Sequence, residues 1–564
     1  MVKYRVRAGR TAKGLEKYSS LIQILLGERG INTDEEAEKF FAPDYERDLH
    51  DPFLLPDMDK AVERIYSAID NQEKIVIFSD YDADGIPGGV VLHNFFTKIG
   101  YTNFTNYIPH RHREGFGLNT GAVDGFEKEK VKLVITVDCG ITDIEEADLL
   151  KKHKIDLIIT DHHLPGEKLP HAVAVVDAKR LDSKYPFKEL CGAGVAFKLV
   201  QALIQKRDFG LKPGWEKWLL DVVGIATLSD MVPLLGENRA LAYYGLKVIR
   251  KTPRVGLQKI FRKMKIELET MTEDDIGFSL TPRINAASRI GEPEDAFKML
   301  VATDELEGDK WAEHLEDLNN SRKGQVAAIT KEARKIMEER YTEKKKVIVI
   351  GNPDWKPGLL GLVANALLET NGGAVFVWGR EGGENLKASC RADASVNVVE
   401  LMNLVPKDVI LDFGGHQASG GLTISSDLVH TLEDHLNIAY EQVASSIEAA
   451  MLEIDAVISP EELVPSLWQD LEKFRPFGVG NPKPVFLVKG AELVSVKAFG
   501  KEKNHTELII KTGRSTVTAI AFFCLPDSWG RELKVGDKVD MVVNLEKNVF
   551  RGRTEKRLRI VEVL

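Results

Sequence analysis

The sequence predicts an α/β protein of two α/β domains joined by a long helix, with a small β-barrel at the C-terminus. Three observations predict it. From residue 74, short β-branched apolar runs alternate with helical stretches, the pattern of a parallel sheet covered by helices. A second pattern of the same kind opens at KVIVIGN (346–352), after a charged stretch with helical composition. A Pro-rich passage, KFRPFGVGNPKPVF (473–486), is then followed by about five short strands with turn residues between them.

In chain order, residues 1–70 read as helical, with SLIQILLGERG and DEEAEKFF as the helices. The first α/β unit follows with KIVIFSD (74–80), VLHNFFTKIG (91–100), KLVITVDCG (132–140), EEADLLKKH (145–153), DLIITDHH (156–163) and AVAVVDA (172–178). Residues from about 190 to 250 read as helices, including GAGVAFKLVQALI and ALAYYGLKVIRK. Residues 301–346 hold no Pro, and Gly only at 308 and 324, so one long connecting helix is expected. The second unit runs to about 450, and the tail carries ELIIKT, TVTAIAFF, KVDMVVNL and LRIVEVL as strands.

The chain has 564 residues, 43% hydrophobic and 29% charged, enough for several apolar cores. The N-terminus MVKYRVRAGR has no apolar stretch and no run of 18 apolar residues occurs, so neither a signal peptide nor a membrane span is expected. The four cysteines are far apart and form no CxxC pair, which argues against a zinc site or a disulfide framework and fits a reducing cytoplasm. Net charge is −10, yet residues 497–564 hold 14 Lys and Arg against nine Asp and Glu. A basic tail on an acidic body is either a solvated face or a nucleic-acid contact.

The chemistry concentrates at strand ends. SDYDADG (79–85) follows KIVIF directly and puts Asp80, Asp82 and Asp84 at spacing two. Open α/β sheets bind ligands at the carboxyl ends of their strands. Carboxylates so crowded repel one another without a cation, and oxygen ligands suit Mg²⁺ or Mn²⁺. An EF-hand loop would need a preceding helix and Glu at its twelfth position, and neither is present. VDCG places Asp138 at the end of KLVITV, and TDHH places Asp161, His162 and His163 at the end of DLII. Imidazole beside carboxylate favours Mn²⁺ over Ca²⁺. Asp230, in TLSDMVPL, is a weaker signal by itself. Together these residues supply enough donors for two divalent cations roughly 3.5–4 Å apart, the arrangement for in-line phosphoryl displacement.

The ordered set DYDADG, VDCG, DHH and SDMVPL resembles the motifs of the DHH phosphoesterase superfamily. Within it, YIPHRHREGFGLN (107–119), YPFKELCGAGVAFKL (185–199), TPRINAASRIG (281–291), WKPGLLGLVA (355–364), GGHQASGG (414–421) and FRPFGVGNPKPVF (474–486) resemble the RecJ family. The resemblance spans nearly all of the chain beyond residue 70. It implies an N-terminal helical segment (1–70), a DHH catalytic domain (71–250), a helical connector (251–345), a DHH-associated substrate-binding domain (346–455) and an OB-like nucleic-acid-binding domain (456–564).

By that resemblance the metal ligands are Asp82, Asp84, Asp138, His162 and Asp230, holding two Mn²⁺ or Mg²⁺ ions. Asp80 and His163 are further ligands or acid–base groups. His163 either protonates the leaving oxygen or orients His162 or Asp138 from behind. Arginines pair bidentately with phosphate, and the RecJ-like segments assign Arg111 and Arg289 to the 5′ end, with Arg283 and Arg391 as further phosphate contacts. Phe116 is a base-stacking surface or a core aromatic. His416 would donate to a phosphate from the Gly-rich GGH turn. In the tail, Phe477, Phe486, Lys497, Arg551 and Arg553 are candidates for a single-strand groove.

The implied activity is a 5′→3′ exonuclease on single-stranded DNA that releases 5′-mononucleotides in DNA repair and recombination. A monomer in the cytoplasm is implied, with single-strand-binding protein and a helicase as partners. The sequence departs from the family pattern at Ser79, Pro87-Gly88, Ser288 and Ser419, none of which is a ligand position. Two rivals stand beside this reading: a small-substrate DHH enzyme acting on short oligonucleotides or cyclic dinucleotides, and a non-enzymatic DNA-binding relative.

Overall fold

The computed structural model describes residues 4–7, 14–341, 343–380, 382–443, 451–500, 502–550 and 553–564. The first sheet has five parallel strands: β1 (Ile75–Ser79), β2 (Phe104–Tyr107), β3 (Leu133–Val137), β4 (Asp156–Thr160) and β5 (Ala174–Val176), in the order β2-β1-β3-β4-β5. β1 and β3 are buried at every residue, so both faces of the sheet are covered. Strand alternation divides that burial. Ile75 and Ile77 pack with Val62 and Ile65 of the helix Met58–Asp70, whereas Val76 and Phe78 pack with Phe126 and Leu150 on the other face. The strand order reverses between β1 and β3, which opens a crevice at their carboxyl ends.

Helix α1 (Gly85–Lys98) follows β1, and α2 (Gly192–Lys206) and α3 (Leu220–Ser229) pack behind the crevice. The core of this unit does not stop at residue 250. Leu257, Phe261, Ile284, Met299 and Leu315 belong to the same apolar cluster as Ile75, so α4 (Thr281–Ile290) is part of the crevice wall.

The connecting helix α5 (Glu305–Arg340) has 36 residues, a length of about 54 Å at 1.5 Å per residue. Asp304 caps it by accepting the amides of Leu306 and Glu307, each at 2.9 Å. Its first half buries Ala312 and Leu315 against the first unit, and its second half buries Ala333 against the second. The second sheet has β6 (Val347–Gly351), β7 (Ala374–Gly379), β8 (Leu386–Ala392), β9 (Ile410–His416) and β10 (Ser419–Ile424), in the order β9-β10-β8-β7-β6. Helix α6 (Pro357–Asn371) packs on it, with Pro357 at the first helical position.

The C-terminal sheet has six strands: β11 (Ala456–Ile458), β12 (Phe486–Phe499), β13 (His505–Thr512), β14 (Ser515–Ala521), β15 (Lys538–Phe550) and β16 (Arg553–Val563). The order is β11-β12-β13-β14-β16-β15, and a further β12–β15 pairing closes it into a barrel. The N-terminal segment is not wholly helical, because Tyr4–Val6 is a strand pairing in parallel with Leu452–Ile454. Its helices also serve two different cores. Leu15, Ile22, Leu25 and Phe40 share the barrel core with Trp468, Phe474 and Phe486, while Met58–Asp70 packs under the first sheet. Amphipathic periodicity marks a buried face without stating which core receives it.

The Pro-rich passage docks the barrel on the first unit. Arg475 Nη1 lies 3.0 Å from both carboxylate oxygens of Glu273, and Lys483 pairs with Asp274 at 2.5 Å. Buried Arg239 donates to the carbonyls of Phe40 (2.8 Å) and Arg475 (2.9 Å). The amide of Leu234, four residues after Asp230, donates to Val479 O at 2.7 Å. Among the described residues, no helix is long and apolar enough to cross a membrane.

Candidate metal centre and basic cleft

Seven side chains converge at the crevice in three overlapping triads: Asp80, Asp82 and Asp138; Asp84, His162 and Asp230; Asp138, His162 and His163. Within each triad the candidate ligand atoms lie within 4.8 Å of one another. The local backbone explains the convergence. Asp82 Oδ1 accepts the amides of Asp84 (2.8 Å) and Gly85 (3.1 Å) and so starts helix α1. Asp84 reaches across to the N-terminus of α2, accepting Gly192 N at 2.6 Å and Ala193 N at 2.8 Å. That approach requires glycine, since a Cβ on Gly192 would sit 2.4 Å from Cβ of Asp138. Asp138 itself adopts φ +63°, a left-handed conformation that costs a non-glycine residue free energy and marks a functional constraint.

His162 Nε2 lies 3.0 Å from Asp138 Oδ1 and 3.7 Å from both Asp84 Oδ2 and Asp230 Oδ2. Yet His162 Nε2, Asp138 Oδ1 and Asp80 Oδ1 are buried without hydrogen-bond partners among the described residues. Buried polar atoms converging without bonding to one another fit a cation-binding site. Asp161 points elsewhere. Its carboxylate accepts Ile141 N at 3.0 Å, His162 N at 2.7 Å and His163 Nδ1 at 2.8 Å, so it holds the backbone of His162 and orients the His163 imidazole from behind.

The electrostatics carry the same message. Burial, then the charge of Asp82, pushes Asp80 well up and Asp84 up to about 7. Burial, then Asp84, raises Asp138 and lifts Asp230 to about 9. Burial, then His163, pushes His162 down to about 3, the neutral form a metal needs. Burial opposes charge on His163, but its hydrogen bond to Asp161 together with the charges of Asp161, Asp230 and Asp84 lifts it to about 9. The donor set of carboxylates plus imidazole, packed this tightly, fits divalent Mn²⁺ or Mg²⁺.

A basic cleft faces this centre. The loop after β2 is fixed by Glu114, which accepts His110 N at 2.7 Å, and by Asp143, which accepts Leu118 N at 2.6 Å. It places the Arg111 guanidinium 4.7 Å over the Tyr81 ring, and sets half-exposed Phe116 edge-on to His163 at 5.6 Å. Arg289 Nη1 donates to Gly358 O at 2.9 Å, and His112 Nε2 lies 3.0 Å from Arg289 O. These contacts bring the N-terminus of α6 against the first unit. Arg391 of β8 sits beside Gly361 on the same helix, where a Cβ would meet its Nη2 at 3.0 Å. Burial, then the guanidiniums of Arg111, Arg322 and Arg391, pushes Arg289 down to about 9. A cation is thereby crowded among cations, a placement that favours an anionic ligand.

Arg283, one of the expected phosphate contacts, does not join this group. It is buried, pairs with Glu316 at 2.5 Å and donates to Ser279 O at 2.7 Å, which makes it a tether between α4 and α5. His416 stands at the end of β9 beside Ser419, which pairs with Arg391, so the three share a row across three strands. Phe486 is fully buried and Phe477 packs on the barrel core, so neither lines a groove. Lys497 is exposed on β12 opposite Glu507. Arg551 and the side chain of Arg553 lie outside the described residues.

Sequence reading missed Arg322. Its Nη2 donates to Asn319 Oδ1 at 2.9 Å, and its Nε is buried without a partner among the described residues. The only signal was its place on the connecting helix, where a charge is most often solvated.

The comparisons agree with the geometry. Residues 74–227 match the DHH family N-terminal domain, residues 344–446 the DHHA1 domain and residues 454–562 the RecJ OB domain. The chain is 34% identical over 543 residues to the single-stranded-DNA-specific exonuclease RecJ of Bacillus subtilis, covering 96% of this chain and 67% of that protein. The protein of the same name from Haemophilus influenzae is 29% identical, with 91% and 92% covered. Among solved structures, RecJ in complex with Mn²⁺ from Thermus thermophilus matches with a TM-score of 0.82 at 26% identity, covering 100% of this chain and 79% of that one. The two α/β domains, the long helix and the OB barrel are therefore the RecJ architecture, and the chain belongs to the RecJ family of the DHH superfamily.

Proposed function

We propose that the chain is a single-stranded-DNA-specific exonuclease that hydrolyses phosphodiester bonds from the 5′ end and releases 5′-mononucleotides, using two divalent cations. The observation that carries this is the meeting of the seven-residue donor cluster with Arg111, Arg289 and Arg391 in one cleft. Relatives named single-stranded-DNA-specific exonucleases and a RecJ structure in complex with Mn²⁺ support it.

Asp80, Asp82, Asp84, Asp138, His162 and Asp230 would hold Mn²⁺ or Mg²⁺. Bound cations supply Lewis-acid charge to a scissile phosphate. The chain's own groups do the rest. Arg111, Arg289 and Arg391, with the amides at the N-terminus of α6, hold a terminal 5′-phosphate. Phe116 offers a ring beside His163 on which the first base stacks. His163, kept protonated at Nδ1 by Asp161, delivers a proton from its ring to the departing oxygen. Holding the end phosphate at a fixed distance from the cations makes cleavage stepwise.

A role in DNA repair and recombination follows from the family, with the chain acting as a cytoplasmic monomer beside a single-strand-binding protein and a helicase. The test is hydrolysis of a single-stranded oligonucleotide in Mn²⁺, in Mg²⁺ and in EDTA. Metal-dependent release of mononucleotides supports the reading, and binding without hydrolysis in either metal contradicts it.

A further inference from the structure

The basic cleft carries more positive charge than one terminal phosphate needs. Four guanidiniums crowd it, those of Arg111, Arg289, Arg322 and Arg391. Their partners are neutral. Arg111 lies over the Tyr81 ring, Arg289 donates to Gly358 O, Arg322 to Asn319 Oδ1 at 2.9 Å, and Arg391 to the carbonyl of Cys390 at 2.7 Å. Asp82 is the carboxylate that acts on Arg289, and it belongs to the metal donor cluster. A phosphate monoester brings about 1.5 to 2 negative charges at neutral pH, so about half of this positive charge is left unmatched.

There is also room beyond the terminal phosphate. A groove of about 680 Å³ is lined by α5 from Arg322 to Glu338 and by Ala366 of α6. The two helices lead away from the cleft side by side. Arg289 meets Gly358 at the start of α6, and Arg334 Nη2 donates to Thr370 Oγ1 at 3.4 Å near its end. From Arg322 to Arg334 is about 18 Å at 1.5 Å per residue. The rim holds Lys323, Lys331, Arg334 and Lys335 against one acid, Glu338.

Donors are left over where the groove meets the cleft. Arg322 Nε and Asn319 Nδ2 are buried without partners among the described residues, and Asn319 is wholly buried. Thr330, in the lining, is 7% exposed and its hydroxyl is likewise unpartnered. A buried donor without an acceptor costs free energy, which an anion at this point would relieve. Among the described residues the lining holds no aromatic ring, so it suits phosphate oxygens and gives bases nothing to stack on.

We propose that the cleft accepts strands whose 5′ end carries a di- or triphosphate. Arg111, Arg289 and Arg391 hold the phosphate next to the sugar; Arg322, Asn319 and the groove mouth at Lys323 hold the outer ones. The proposal rests on the 5′-end reading of the cleft and widens its substrate class. Water attacks the phosphorus between the first two nucleotides, and the 3′ oxygen of the first nucleotide departs with a proton. The first product is then a nucleoside 5′-triphosphate with a 3′-hydroxyl, the shortened strand begins with a 5′-monophosphate, and no phosphoanhydride bond is broken.

The test uses the full chain with Mn²⁺ and two single-stranded DNA oligonucleotides of one sequence, one ending in a 5′-monophosphate and one in a 5′-triphosphate, with products separated by ion exchange. The triphosphate strand is expected to release a nucleoside triphosphate first and monophosphates after it. Arg322→Ala should raise the KM of the triphosphate strand, relative to that of the monophosphate strand, about tenfold, and Arg322→Lys should recover part of the loss. Lys323→Ala, which removes an exposed side chain, should raise the same ratio about threefold. An unchanged ratio in both alanine variants overturns the proposal, as does pyrophosphate or orthophosphate released ahead of any nucleotide. A triphosphate strand that resists while the monophosphate strand is degraded from its 5′ end overturns this inference alone. If neither strand is degraded from that end, the 5′-end reading falls with it.

Discussion

Asp161 accepts a hydrogen bond from His163 Nδ1 at 2.8 Å while its other contacts are backbone amides. This carboxylate lies outside the converging donor triads but fixes the His163 imidazole and the backbone of His162, both of which belong to them.

Replacing Asp161 by Asn removes the charge that lifts His163 to about 9. If protonated His163 is the acid, activity is lost as pH rises through its pKa, so the alkaline limb of the kcat profile should move toward lower pH. A drop of about 10- to 100-fold in kcat/KM is expected, the usual effect of losing a partner behind a metal ligand. An unmoved alkaline limb would assign the proton transfer to another group.

Metal-free protein should lose stability as pH rises. Burial lifts Asp84 to about 7 and Asp230 to about 9 in the folded state. Folded pKa values above the unfolded value of about 4 contribute stability below pH 4 that is lost as pH climbs through them. The melting temperature without metal should therefore fall between about pH 5 and 9. Mn²⁺ should raise it, and by more at the alkaline end, since carboxylates must shed protons to bind. A Mn²⁺-induced rise that is constant across this range would contradict the crowding of these carboxylates.

Arg289→Ala should raise KM for a 5′-phosphorylated strand about tenfold or more, the cost of losing a hydrogen bond to a charged group. A strand with a 5′-hydroxyl should suffer much less. Equal loss on both would place Arg289 in domain closure, through Gly358, instead of end recognition.

Glu273→Ala should destabilise the protein by about 1–3 kcal/mol, because half-buried Arg475 keeps only Glu472 and the Phe477 amide loses its acceptor. The variant should also weaken metal binding, since the barrel passage holds Leu234 and with it the turn that carries Asp230. Thermal melting and Mn²⁺ titration check the two effects separately. For the same reason, deleting residues 456–564 removes a support of the metal centre together with the barrel.

The parallel sheet and its acidic strand ends were legible because both depend on local pattern. Continuous β-branched runs give buried strands, and each of Asp80, Asp138 and Asp161 follows one directly. What could not be read depends on which way a helix or strand faces. Arg283 and Arg289 stand six residues apart in one motif, about 240° around a helix, so only one of them meets the cleft. Arg322 is one charge among many on α5 until the fold sets it beside Arg289. Phe486 lies in the barrel core while Phe523 is thrust outward, a difference made by β12's place in the closed barrel and a left-handed turn. Nor does sequence separation show that residues 15–41 complete a core more than 400 positions away.

The most direct test of the central claim uses one single-stranded oligonucleotide labelled separately at each end, incubated with Mn²⁺ or with EDTA. Early release of labelled mononucleotide from the 5′ end, abolished by EDTA, is the predicted result. A ladder that begins at the 3′ end would contradict the 5′-phosphate roles of Arg111, Arg289 and Arg391 while leaving the metal centre standing.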